Sequence, residues 1–560
     1  ARPGPDMAGS NYFRSASSPS KLRGEFYTPP ELVRLILDRL NPREGDTFLD
    51  PSCGDGEFLV GVAPFLAAHA PSSRRPALGR ALAERLVGLD THPEAVTAAR
   101  ERVAAALEAF GTAVSPDRLR IFHRDALEFP DRRALAASLP LAPGRLLVVG
   151  NPPYVEAKRL SAVEKQALRQ RHPEAAAGAP DLYLYFLHAC LGWLEGEDTL
   201  ALVLPNKVLV NSNARAVRER ILAENRLDGL DFATRASVFP GAAVYPIVLY
   251  AGAARSHAPR TVGLAQVERN GAGLHRAPLC DLPPSAYAVT GGRVLFPAPA
   301  SPLLRDALLA LLERARAGPR LDTALEIRWT VSFHRRGLRE RYVTREKPRS
   351  PFARKMLGGG AFTGNGEVTR YRLRWAGWWI DYDLDRLRAD GNALPDPALF
   401  DRPRIILCQN GRTLRAAYDE GSYVLKDVFL CGLPAEGPHP LARHPRALVG
   451  LLCSRAVHFF YSHVFHGGHV NGGYLHFLRS FLVDLPLGEW TDSRAEAVAA
   501  LTLAREQADT SSEQDRLEEQ IETHVARALG LPPEMQEAIH QWSASDLNWL
   551  ARHRVRPPRL

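Results

Sequence analysis

The sequence predicts an α/β protein built on a mostly parallel, doubly wound sheet, and three observations carry this. Short apolar runs recur and end at a polar residue or a turn: Thr47-Phe48-Leu49-Asp50, Leu86-Val87-Gly88-Leu89-Asp90, Ile121-Phe122-His123-Arg124-Asp125, Leu146-Leu147-Val148-Val149-Gly150 and Leu202-Val203-Leu204-Pro205-Asn206. Helical patterns alternate with them over about residues 24–250, as expected for strands joined by helices on both faces. A glycine turn, Gly54-Asp55-Gly56, links the first strand to an apolar helix start, Glu57-Phe58-Leu59. With 560 residues the chain is too long for one ordinary domain, so two or three are expected.

The first strand closes on Asp50, and Pro51-Ser52-Cys53 leads into the glycine turn. Gly54 and Gly56 let the backbone bend and approach a ligand closely. The turn is similar to the first turn of a nucleotide-binding βαβ unit, without the third glycine of the dinucleotide pattern and without a Walker pattern. Asp90 ends the second strand and Asp125 the third. A carboxylate at Asp90 suits a pair of ribose hydroxyls, and one at Asp125 an adenine amino group. Acids at three successive strand ends describe a pocket for an adenosine without phosphates. They would repel a phosphate anion and accept a cationic sulfonium.

The fourth strand runs into Asn151-Pro152-Pro153-Tyr154. Two prolines stiffen this turn and push the residues before them to extended geometry. The amide oxygen of Asn151 and the carbonyl of Pro152 are thereby held side by side, each able to accept one hydrogen of a planar NH2 group. Tyr154 supplies a stacking surface. An aromatic amine is a poor nucleophile because its lone pair is delocalised, and two acceptors that draw its hydrogens out of plane localise that pair on nitrogen. The bland alternative is a proline-rich turn after a strand, which the acids and glycines upstream make less economical.

Together these motifs resemble the gamma class of amino-methyltransferases, the Taq-type adenine-N6 DNA methyltransferases that use S-adenosylmethionine (SAM). Gly24-Glu25-Phe26-Tyr27-Thr28-Pro29-Pro30-Glu31 is similar to the family segment that closes over the methionine part of SAM, with Thr28 also expected as the cap of the following helix. The resemblance implies a Rossmann-like SAM domain with cofactor contacts at Thr28, Asp50, Pro51, Gly54, Gly56, Asp90 and Asp125. In Asp181-Leu182-Tyr183-Leu184-Tyr185-Phe186 it implies that Phe186 lies against the cofactor adenine. In Ser237-Val238-Phe239-Pro240 it makes Phe239, with Tyr154, the stacking partner of the target base. Asn151, Pro152, Pro153 and Tyr154 are the implied catalytic turn. One departure is Ala126, where the family often has an aromatic residue beside the cofactor adenine. The resemblance spans about residues 20–250 and weakens afterwards. It implies base flipping out of double-stranded DNA, in a bacterial or archaeal cytoplasm.

The formal charge is +9, with Arg far more frequent than Lys, compatible with a polyanionic partner. The six cysteines form no C-x-x-C pair, so reduced, mostly buried thiols are expected and no structural metal. No apolar stretch reaches membrane-spanning length and no secretory signal is evident. Residues 1–20 read as a flexible arm, with Ala1–Asp6 ahead of Met7 as a cloning remnant. The catalytic domain is expected over 21–255, with a charged loop or helix over 155–180 at the site's mouth. A linker is expected over 256–300, a target-recognition domain of mixed α+β structure over 301–490 and a helical tail over 491–560.

Within the second domain, residues 320–355 hold eleven Lys or Arg against four acids, with Trp329, Phe333, Tyr342 and Phe352 interleaved. Charge mixed with aromatics suits phosphate contacts, and Arg335, Arg336, Arg339 and Arg341 are the candidates. Trp375, Trp378 and Trp379 read as core of the second domain rather than a base-stacking platform. Residues 447–487 resemble the end of the Taq-type specificity domain, and the Gly467–Tyr474 loop offers Asn471 for DNA contact. His466, His469 and His476 lack an acidic partner at ligand spacing, so no metal is expected there.

Rival functions are an RNA base methyltransferase, a protein-glutamine methyltransferase with the same turn, and a catalytically silent DNA-binding subunit. The second class is short and lacks a large basic second domain, and the third would be expected to lose the turn or the acids. A short N-terminal arm leaves no room for a fused nuclease, so a separate nuclease or another defence-system subunit is the expected partner.

Overall fold

The computed structural model describes residues 28–552, apart from 176–177, 225, 234–237, 239–244, 254–260, 289, 291–293, 334–336, 361–365, 392–393 and 471–473. The chain divides into two compact units, Ala1–Leu295 and Phe296–Leu560.

The first unit is organised by a nine-stranded sheet among the described residues, in the order β3-β2-β1-β4-β5-β7-β6-β8-β9. Strands β1 (Thr47–Asp50), β2 (Leu86–Asp90), β3 (Arg120–His123), β4 (Leu146–Gly150) and β5 (Thr199–Pro205) run parallel. Their carboxyl ends therefore share one edge. β6 (Leu227–Phe232) and β7 (Pro246–Gly252) complete the core, with β7 antiparallel to β5. Alternate residues explain the continuous apolar strands. Leu147, Val149, Ala201 and Val203 join one hydrophobic cluster, while Val148, Leu200 and Leu202 point the other way and are equally buried.

Helix α1 (Pro30–Leu40) and α2 (Glu57–His69) pack on each other, and α3 (Pro93–Glu108) packs on α2, β2 and β3. Thr28 was expected to cap α1. Instead Pro29 occupies the cap position, and its carbonyl accepts the N–H groups of Leu32 and Val33. Proline at the first helical position needs no partner for a missing N–H, so no side-chain cap is required. Arg39 of α1 reaches the buried Asp231 of β6 at 2.5 Å, and Arg276 binds the same carboxylate at 3.0 Å.

The linker expected over 256–300 is corrected by the structure. Residues within it form β8 (Val262–Asn270) and β9 (Gly273–Leu282), a hairpin that extends the sheet. β9 is the edge strand, where Pro278 is tolerated because no ladder N–H is needed. The register shifts beside it, between Leu264 and Ala265. Edge position and irregularity blur the alternation that would have marked these strands. Residues 155–180 contain a helix, α4 (Ala162–Arg171), opened by a capping box between Ser161 and Glu164. Helix α5 (Leu182–Gly192) follows and packs against β5.

In the second unit, β10 (Leu325–Arg328), β14 (Arg404–Cys408), β16 (Ala416–Asp419) and β18 (Phe429–Pro434) form one antiparallel sheet. β11 (Val343–Thr344), β12 (Ala353–Leu357), β13 (Trp378–Asp381) and β17 (Val424–Leu425) form a mixed sheet, in which β17 runs parallel to β12. β15 (Asn410–Gly411) pairs with β20 (Tyr474–His476), which pairs with β19 (His469–Val470). Helix α6 (Pro302–Ala317) precedes these sheets, and α7 (Pro445–Leu452) and α8 (Arg455–Val464) lie between β18 and β19. The expected tail is α9 (Asp492–Gln507), α10 (Ser511–Ala528) and α11 (Pro533–Arg552). It packs onto the unit, α9 and α10 against α7 and α11 against α8. Arg370 seals it through Glu518 at 2.8 Å.

Candidate active site

The site is built at the shared carboxyl edge of β1–β5, where successive strand ends bring together residues far apart in sequence. Asp50 ends β1 and is buried. Its Oδ1 accepts the N–H of Ser52 at 3.0 Å, which turns the chain sharply. The Cys53 N–H then bonds to the Leu89 carbonyl at 2.8 Å, fastening the turn to β2. Gly54 and Gly56 take φ of +52° and +85°, the left-handed region that a side chain disfavours. A Cβ on Gly56 would also lie 3.1 Å from that of Ala99 on α3, so glycine here allows helix and turn to pack closely.

Asp90 braces the same turn. Its Oδ2 accepts the Gly54 N–H and its Oδ1 the His92 N–H, each at 2.9 Å. Asp125 accepts the Leu127 N–H at 2.9 Å, and α5, which carries the buried Phe186, packs against the Ala126–Glu128 turn. The aliphatic Ala126 is itself buried there. Thr28 and Pro51 are buried too. Burial raises the Asp50 carboxyl to about 8; the Ser52 N–H opposes the rise and the nearby Asp90 adds to it. The same burial, with Asp50 and Asp90 beside it, pushes the Cys53 thiol well up.

Asn151, Pro152, Pro153 and Tyr154 leave the end of β4, the strand between β1 and β5. A Cβ on Gly150 would fall 2.8 Å from Asp50 Oδ1, so the acid of the first strand lies directly beside the start of this turn. The chain beyond is tied to the start of α5. Leu182 N–H donates to Val155 O and Ala157 N–H to Asp181 Oδ1, both at 2.9 Å. The Tyr154 ring meets Tyr183 edge to face, centroids 6.2 Å apart, and burial pushes the Tyr154 hydroxyl well up. An anionic phenolate is thus disfavoured, leaving an apolar ring face for stacking.

Phe239 lies outside the described residues, as do Arg335, Arg336 and Asn471. Of the remaining basic candidates, Arg339 pairs with Glu340 and Arg341 with Asp390, both at 2.8 Å. The Asp390 carboxylate also takes the Tyr342 hydroxyl. A different group emerges from the fold. Trp375, Trp378 and Trp379 are half-buried rather than enclosed, with Trp375 and Trp378 resting on the hydrophobic cluster of this unit. Each carries a cation: Lys355 5.1 Å from the Trp375 ring, Arg345 4.1 Å from Trp378, Lys347 5.4 Å from Trp379. β13 supplies Trp378 and Trp379, β12 supplies Lys355, and Arg345 and Lys347 follow β11.

Among the described residues no helix is long and apolar enough to cross a membrane. The family model for N-6 DNA methylases matches residues 11–249, and that for the TaqI-like C-terminal specificity domain matches residues 361–487. The type II methyltransferase M.BanIII of Aneurinibacillus aneurinilyticus is 28% identical over 221 residues, 37% of this chain and 34% of that relative. The methylase subunit of the type I restriction enzyme EcoEI of Escherichia coli is 47% identical over 37 residues, 7% of this chain and 8% of that one. The match thus spans about a third of the first relative's length and far less of the second's. Among solved structures, the type IIL restriction-modification enzyme MmeI in complex with DNA shares the fold. It has a TM-score of 0.58 at 13% identity, over 94% of this chain and 75% of that one. The chain thus carries an N-6 DNA methylase domain and, as its second recognisable part, a TaqI-like C-terminal specificity domain.

Proposed function

We propose that the protein transfers a methyl group from SAM to N6 of an adenine extruded from double-stranded DNA, as the modification activity of a restriction-modification or phage-defence system. The observation that carries this reading is the placement of Asp50 against Gly150, which puts an acid of the cofactor turn beside the Asn151-Pro152-Pro153-Tyr154 turn.

The residues present fit SAM. Asp50 and Asp90 end β1 and β2, Asp125 follows β3 by two residues, and the glycine turn between the first two carries no side chain at Gly54 and Gly56. When bound, SAM supplies a methyl group already activated by its sulfonium. Asp90 suits the ribose hydroxyls, Asp125 the adenine amino group, and Phe186 the adenine face. Thr28 and Pro51 complete the pocket wall. The side-chain oxygen of Asn151 and the Pro152 carbonyl accept the two N6 hydrogens, aim the nitrogen's lone pair and hold it at attack distance. Tyr154, with Phe239, stacks on the extruded base, which offsets the few kcal/mol or so that flipping costs. The N6 proton leaves after transfer, when the nitrogen is strongly acidic.

The second unit reads as the DNA-gripping part, with the cation-bearing tryptophans added to the basic stretch of 320–355. A separate nuclease or other defence subunit is the partner expected for such a modification enzyme. The test is to express the chain in cells lacking adenine methylation and sequence their DNA for N6-methyladenine. Modification at one recurring motif, absent with Asn151→Ala, is the expected result. Unmodified DNA from cells making folded protein would overturn the proposal.

A further inference from the structure

Asn206 directly follows β5, the strand parallel to and paired with β4. It therefore stands at the same sheet edge as Asn151. The residue is 3% exposed, and its side-chain Nδ2 has no hydrogen-bond partner among the described residues. Its backbone is well held, since the N–H donates to the Tyr245 carbonyl at 2.8 Å. The buried Arg218 grips the chain just beyond it, donating to the carbonyls of Val208 and Asn211 at 2.8 Å each. The next residue, Lys207, is exposed, and its charge acts on Glu156 and Asp181, the acids that flank the end of the catalytic turn. A buried amide donor with a well-held backbone thus lies at the carboxyl edge of the sheet, beyond the β5 residue that pairs with Gly150.

A buried amide NH2 left without a partner is costly, and such groups in folded proteins call for a reason. In the proposed reading the catalytic turn presents two acceptors to N6, Asn151 Oδ1 and the Pro152 carbonyl. Acceptors read an amino group but satisfy none of the three ring nitrogens of adenine, which lose water when the base enters the pocket. Resting on the function proposed above, we infer that the Asn206 side chain donates a hydrogen bond to one ring nitrogen of the extruded adenine. It complements the acceptor pair on N6 and helps fix the base in plane. The methyl transfer is unchanged in its chemistry: the N6–C bond forms, the C–S bond breaks and the N6 proton passes to solvent.

The modified site is first located by sequencing the DNA of expressing cells. Synthetic duplexes carrying it are then made with the target adenine replaced in turn by 1-deaza-, 3-deaza- and 7-deazaadenine, each keeping N6. One analogue is expected to lower wild-type kcat/KM on the order of 10–100-fold, the range of one lost buried hydrogen bond. That analogue should cost Asn206→Ala nothing further, while the other two act equally on both enzymes. Asn206→Leu, a near-isostere without the amide, should behave as the alanine variant does and serves if alanine fails to fold. Independent, multiplying losses for all three analogues overturn the inference and leave the methylation reading standing. Wild-type protein that modifies no DNA removes the reading itself, and this inference with it.

Discussion

The carboxylate of Asp50 lies against the α-carbon of Gly150, close enough that a Cβ there would stand 2.8 Å from Oδ1. The two residues are held by parallel pairing of β1 and β4. Asp50 has little freedom to retreat, being buried and bonded to the Ser52 N–H. Gly150→Ala is therefore expected to displace the acid or the turn, an overpacking that costs about 1–3 kcal/mol. Both SAM affinity and turnover should fall by at least about tenfold, with the secondary structure retained by circular dichroism.

Removing Asn151 should separate binding from chemistry. Asn151→Ala is expected to retain SAM binding and lose on the order of 10²–10³ in rate, the effect of deleting one positioned polar group. Titration calorimetry for SAM and a tritiated-methyl assay on DNA read the two quantities. Full activity would remove the turn from the catalytic role.

Asp90 holds the Gly54 N–H in the structure and is the proposed partner of the ribose hydroxyls. Asp90→Ala is expected to weaken SAM binding by about 1.5–3 kcal/mol, roughly ten- to a hundredfold, and to leave DNA binding nearly intact. Asp90→Asn keeps one acceptor for the Gly54 N–H and should recover thermal stability more fully than affinity. Unchanged affinity in both variants by calorimetry would move Asp90 out of the cofactor site.

Asp50 predicts a pH dependence. Burial raises its carboxyl to about 8, so below that pH the free protein carries it largely neutral. A cationic ligand favours the ionised form, and binding should then release a proton. SAM affinity is expected to rise by roughly tenfold per pH unit up to about 8 and to level off above it. Calorimetry in buffers of different ionisation enthalpy checks the proton count. Asp50→Asn should abolish the slope, and a pH-independent wild type would refute the linkage.

The cation-bearing tryptophans yield a salt-dependence test. Replacing Arg345, Lys347 and Lys355 together by alanine should weaken duplex binding on all sequences. It should also flatten log K against log salt by close to one unit for each phosphate no longer neutralised. The triple variant of Arg335, Arg336 and Arg339 should act in the same direction. Arg341→Ala and Arg339→Ala, each alone, should change the slope least, because their charges are already paired with Asp390 and Glu340. Site choice should instead respond to substitution at Asn471.

The Asn151-Pro152-Pro153-Tyr154 turn, the glycine turn and the acids at or just past three strand ends were legible as local structure because each is a contiguous string. Asn151-Pro152-Pro153-Tyr154 can adopt few backbone shapes, and an acid after an apolar run marks a strand end whatever the rest of the chain does. Only the tertiary structure decided which distant segments meet. Asp50 touches Gly150 because β1 and β4 are neighbours, and strand order is set by packing of whole layers rather than by either strand's sequence. β8 and β9 join the sheet because pairing to an existing edge stabilises strands whose own pattern is weak, Pro278 included. Arg341 turns from a free charge into half of an ion pair through Asp390, and Trp375, Trp378 and Trp379 from expected core into a half-buried face, because neighbours across the sheet are not written in linear spacing. Asn206 is the sharpest case. In the sequence it is one more residue after a strand, and only burial at the sheet edge shared with Asn151 turns its amide into a donor in need of an acceptor.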